Sequence, residues 1–106
     1  MITPTHATLA TFRMDPAREA EQQEGLQKMI LPGVRGHPGF VQGTWTLDRQ
    51  TSECFVMLTY ESRESAESMR ENIVGNADNQ RFVGIELVEV RVLEVSATAR
   101  SEGSAG

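Results

Sequence analysis

Residue types that carry chemistry are few in this chain, and they are scattered. Two histidines, His6 and His37, and a single cysteine, Cys54, stand far apart and form no ligand spacing that a metal ion would recognise. No metal site is expected. Cys54 opens an apolar stretch, where a buried, inert thiol is the natural reading rather than a nucleophile. His37 sits in a Gly- and Pro-containing connection and reads as a solvated side chain. The glycine series Gly33, Gly36, Gly39 follows a helix-forming segment rather than a strand, so it does not make a phosphate loop. Asn72, Asn76 and Asn79 are ordinary polar residues of the kind loops favour. No acid–base pair is visible.

Composition narrows the partners further. The 106 residues suffice for one core, and folding at this size removes roughly 65% of the unfolded chain's surface from water. One domain is therefore expected over residues 1–106, with an ordered core at about 6–95 and a flexible Ser-, Ala- and Gly-rich tail at 96–106. Ten basic against fifteen acidic residues leave a net charge of −5, which argues against a nucleic-acid partner that works by neutralising phosphates. No disulfide can form within the chain, no basic cluster precedes an apolar run at the N-terminus, and no apolar stretch approaches a membrane span of about 20 residues. These features point to a cytoplasmic protein without a membrane partner.

The elements that must position any site can be read from periodicity. Strands are expected at 6–14, 40–47, 54–60 and 85–95, where β-branched and aromatic residues concentrate, with a polar hairpin connection at 48–53. Asp15-Pro16 signals a helix start, and Leu26, Met29 and Ile30 share one face of a helix over 17–31. Gly25 weakens that helix, and Pro32 must end or kink it. A second helix follows Ser62, with Ala66, Met69 and Ile73 on one side, glutamates on the other, and Gly75 placed for a left-handed C-terminal cap. The order β-α-β-β-α-β is the ferredoxin-like α+β arrangement, a four-stranded antiparallel sheet with two helices on one face. Alternation sets Phe55 and Met57 against Val56, Leu58 and Tyr60, and Val88, Val90 and Val92 against Ile85, Leu87, Leu93 and Val95. Both sheet faces are then apolar, while two helices cover only one. A homodimer that stacks sheet on sheet resolves this.

The run Pro38-Gly39-Phe40-Val41-Gln42-Gly43-Thr44-Trp45-Thr46-Leu47-Asp48, together with Tyr60-Glu61-Ser62-Arg63-Glu64-Ser65-Ala66, resembles the antibiotic-biosynthesis-monooxygenase-like domains over about residues 8–95. The resemblance implies a dimeric α+β barrel formed by two ferredoxin-like sheets. It also implies a small-molecule-binding protein, either a cofactor-independent monooxygenase or related isomerase acting on an aromatic or quinone-like compound, or a non-catalytic ligand-binding or stress-related module. No cofactor is expected. Haem-degrading relatives use an iron-ligating His on the second helix, and residues 62–74 contain none.

Cofactor-free oxygenation asks for an apolar cavity and polar groups that support a substrate anion or accept protons. In this fold the cavity lies between helices and sheet. Its candidate lining is Phe12, Trp45, Tyr60, Met69 and Phe82, with Arg13 or His37 near an opening. Taken singly, each of these apolar residues is better explained as ordinary core. Trp45 stands out as the single tryptophan, inside the motif and close to a glycine that leaves it room.

Overall fold

Four β-forming stretches pair into one antiparallel sheet in the computed structural model, which describes residues 3–101. The strands are β1 (His6–Met14), β2 (Phe40–Asp48), β3 (Glu53–Tyr60) and β4 (Ile85–Glu94), in the order β2-β3-β1-β4. After β1 a short 3₁₀ turn, Pro16–Arg18, leads into α1 (Glu19–Gly25), a π-helical turn (Leu26–Ile30) and α2 (Leu31–Arg35). After β3 come α3 (Arg63–Gly75) and α4 (Ala77–Arg81). This is the expected ferredoxin-like α+β arrangement. Residues 96–101 carry neither helix nor strand, and the rest of the expected tail, 102–106, lies outside the described residues.

Register decides what each face buries. Thr8, Ala10 and Phe12 of β1 stand opposite Leu58, Val56 and Cys54 of β3, so these residues share the helix-covered face. Ala10, Val56, Leu58 and Tyr60 form the core there with Ala66 and Met69 of α3. Thr8 is fully buried, and its hydroxyl donates to the Ala66 carbonyl at 2.7 Å, tying the central strand to α3. Ser62 caps α3 as expected, its Oγ accepting from the Ser65 amide.

Four local expectations change. Pro32 does not end the first helical segment. The π turn just ahead of it widens the backbone, the Leu31 amide donates back to Leu26, and Pro32 falls in the first turn of α2, where its missing N–H costs nothing. Met29 leaves the buried face and is 75% exposed, because the π turn shifts the stripe that Leu26 and Ile30 keep. Gly75 is not a left-handed cap: the chain bends at Asn76 and continues into α4, and the left-handed glycines are Gly39 (φ +79°) and Gly84 (φ +76°).

In β4 a bulge changes the faces. Thr11 pairs with Glu89 but Phe12 with Leu87, so Val88 is the extra residue. Ile85 and Leu87 therefore join Val90 and Val92 on the helix side, while Val88 turns outward at 46% exposure.

The two glycine types should respond oppositely to alanine. A Cβ on Gly84 would lie 2.7 Å from Asp15 Cβ on a left-handed backbone, so Gly84→Ala should cost about 1–3 kcal/mol. Gly25 has helical angles and open space around it, so Gly25→Ala should add about 0.5–1 kcal/mol. Urea midpoints moving in opposite directions would bear this out; a shift in the same direction would contradict it.

Candidate functional site

The first half of the helical segment after β1, residues 19–25, is too polar to pack along its length. Of residues 19–35, Gln22 and Val34 are the buried ones. The segment is therefore held near its ends. At one, the Gln22 carboxamide donates to the carbonyls of Asp15 and Val83, each at 3.0 Å. At the other, Val34 enters the core. Between these anchors the segment arches over the sheet above a half-open cavity of about 850 Å³, with the exposed Met29 and Leu47 among its lining residues.

The inner wall is apolar. Phe12, Trp45 and Val56 line it from the sheet, and Leu26, Ile30 and Met69 from the helices. Trp45 takes its place because its neighbour has no side chain: a Cβ on Gly43 would lie 2.9 Å from the indole Cζ3 and 2.7 Å from Leu58 Cδ2. The close approach at Gly43 is made by side chains, the tryptophan ring and a leucine, rather than by another backbone.

Of the residues singled out from sequence, Phe12, Trp45, Met69 and His37 all line this cavity. His37 is committed to structure, since its Nε2–H donates to the Ser65 carbonyl at 3.2 Å. Tyr60 is fully buried off the cavity wall, edge-on to His37 and Phe40, with ring centroids 5.5 and 5.8 Å apart. Its hydroxyl has no hydrogen-bond partner among the described residues, and burial pushes its pKa well above the usual tyrosine range. Phe82 is not a wall residue. It lies at the C-terminal end of α4 at 77% exposure, while Val83 and Ile85 beyond it turn inward to the cavity and core. Arg13 lies on the opposite sheet face, paired with Glu86 at 2.8 Å.

Several lining groups escaped the sequence reading. Arg49, in the β2–β3 turn, grips Glu19 with two hydrogen bonds of 3.0 and 3.1 Å, closing one side of the rim. The guanidinium holds the Glu19 carboxyl below its ordinary pKa. Asn72, Asn76, Asn79 and Gln80 line the same cavity from α3 and α4. A usable signal existed for the first two: with Met69 and Ile73 they fall at i, i+3, i+4 and i+7 of one helix. Gln22 gave no such sign, because its partners lie in other elements.

Comparison with known proteins follows from this geometry. A candidate antibiotic biosynthesis monooxygenase from Deinococcus radiodurans superposes with a TM-score of 0.70 at 11% identity, covering 92% of this chain and 99% of that one. The ActVA-Orf6 monooxygenase of Streptomyces coelicolor, solved with nanaomycin D, gives a TM-score of 0.63 at 13% identity over 92% and 91% of the two chains. MupZ from Pseudomonas fluorescens gives 0.62 at 12% over 87% and 69%. The chain has the antibiotic-biosynthesis-monooxygenase-like fold. No protein-family model and no curated protein matches it. At these identities the monooxygenase-like neighbours share the backbone, and the cavity's side chains are this chain's own. Among the described residues no helix is long and apolar enough to cross a membrane, and no three His, Cys, Asp or Glu side chains converge as metal ligands.

Cys54 reports on this wall, since it lines the cavity and burial raises its thiol pKa above the ordinary cysteine value. Raising the pKa lowers the thiolate fraction at a given pH. Alkylation by iodoacetamide at pH 8 should therefore run slower than for a small-molecule thiol, accelerate as pH rises towards the shifted value, and become ordinary in urea. A native rate equal to the unfolded one would show that the thiol is open to water.

Proposed function

We propose that the protein is a cytoplasmic homodimer that binds an aromatic or quinone-like small molecule under residues 19–35 and oxidises it with O₂ without a cofactor. The observation that carries this is the cavity itself. Its roughly 850 Å³ falls in the range of small-molecule sites, and Trp45 and Phe12 offer ring faces to a fused aromatic. The nanaomycin D complex of a neighbour with this fold supports the same ligand class.

Cofactor-free oxidation is balanced when the substrate supplies every electron. An anthrone CH₂ that becomes a carbonyl gives four electrons to O₂: one oxygen atom enters the ring and the other leaves as water. The chain's part is to bind and orient the electron-rich ring, exclude bulk water and place polar groups beside the developing oxyanion. Donation of His37 Nε2–H to the Ser65 carbonyl leaves Nδ1 as the ring nitrogen able to accept a proton, and a purely binding role follows if that nitrogen does not meet the ligand.

Two measurements test the proposal. With 1,8-dihydroxyanthrone, the protein should accelerate O₂ uptake and formation of the anthraquinone, and the quinone product should quench Trp45 fluorescence. Trp45→Phe should weaken binding while leaving the fold intact. Quenching without catalysis would support the binding role alone, and neither effect would remove both.

The homodimer rests on the outer sheet face. Phe55, Met57 and Val88 are 39%, 38% and 46% exposed there, beside the half-buried Leu9 and Leu93. The charge pair Arg13–Glu86 lies at one end of the patch, and Arg91–Glu89 sits between Val88 and Leu93 on β4. A second copy stacked about a twofold axis would cover this patch and meet like with like. Phe55→Arg should then convert a dimer sedimenting at micromolar concentration into a folded monomer. A wild-type protein that sediments as a monomer would refute the arrangement.

A further inference from the structure

The stripe that α3 turns to the cavity changes character along the helix. Met69 and Ile73 are apolar, Asn72 and Asn76 are amides, and Asn79 and Gln80 of α4 continue the series. A stripe whose whole purpose is burial is apolar throughout. Nor does the fold use all of these amides. Asn76 accepts from Asn79 at 3.1 Å, but the Asn72 side chain forms no hydrogen bond among the described residues. The Gln80 Oε1 accepts from nothing among the described residues, but it is buried behind the wall, out of reach of a ligand in the cavity.

The charged groups on the lining are already spoken for. Arg49 is taken by Glu19 through both nitrogens, and Glu21 is held by Arg18 at 2.9 Å. No unpaired cation among the described lining residues remains to hold a carboxylate, sulfonate or phosphate. We propose that Asn72 sets ligand specificity: it selects a neutral aromatic that carries a hydroxyl or carbonyl at the α3–α4 end, while the lining rejects the anionic counterpart. The Asn72 carboxamide donates to a ligand oxygen, or accepts from a ligand hydroxyl, at the rim. This rests on the cavity being the ligand site.

Calorimetric titration with three matched rings, naphthalene, 1-naphthol and 1-naphthoate, tests the assignment at pH 7. The wild-type protein should bind 1-naphthol at least tenfold more tightly than either of the others. Asn72→Leu should cut the naphthol-to-naphthalene ratio at least threefold, with naphthalene affinity held or raised. Asn72 is exposed, so its variant should keep the fold. Naphthalene and 1-naphthol binding equally well would overturn the amide assignment and leave the cavity reading standing. Naphthoate binding as tightly as naphthol, or an unchanged ratio in Asn72→Leu, would also overturn it. If none of the three rings binds, the cavity reading falls and takes the assignment with it.

Discussion

The cavity depends on how one side-chain amide is satisfied. Gln22 is 6% exposed, and its Nε2 reaches carbonyls at the end of β1 and in the turn before β4. A buried amide with both ends of a junction as partners is costly to displace, since removing it strands the carbonyls it served. The same junction needs Gly84 in the left-handed region, packed against Asp15, and the Asp15 amide donates to the Gly84 carbonyl at 2.8 Å. One polar knot thus fixes where the first helical segment begins. Residues 23–25 offer no apolar side chain, so hydrophobic collapse cannot draw that part of the segment flat onto the sheet. An arch, and the space beneath it, is what this sequence allows.

The sheet faces a second constraint, that two helical layers can cover one side. The bulge at Val88 sharpens the division. It moves Ile85 and Leu87 into the same face as Val90 and Val92, which enriches the helix side, and turns Val88 outward to join Phe55 and Met57. A regular strand would have placed Val88 inside and Leu87 outside. The extra residue lets one strand serve two apolar surfaces without surrendering either.

The elements were legible because their signals are local. Strand alternation, the Asp15-Pro16 start and the Ser62 cap each depend on a few neighbouring residues, and each appears where expected. What escaped was set by partners distant in sequence. Gln22 looks like any exposed glutamine until Val83 is beside it, and Glu19 like any solvated acid until Arg49 arrives from the hairpin. Phe82 misled in the opposite way: hydrophobicity suggested a wall residue, but the turn after α4 gives the inward positions to Val83 and Ile85. Pro32 would have broken a regular α-helix, and the π turn that accommodates it leaves no composition signal.

Trp45 joins the two halves of the argument. Its ring folds back over Gly43 and beside Leu58, so the space it occupies is made by a missing side chain in its own strand. A core tryptophan on a strand would ordinarily be enclosed by a helix above it. Here the segment above is held away by its end anchors, and the ring is left half-buried with one side open to the cavity. Had residue 43 carried a Cβ, the ring would be pushed off Leu58 and towards the arch, filling the space that Gln22 keeps clear. The glycine in β2 and the glutamine in α1 therefore act on the same volume from opposite walls, one by making room in the sheet and the other by fixing the height of the arch.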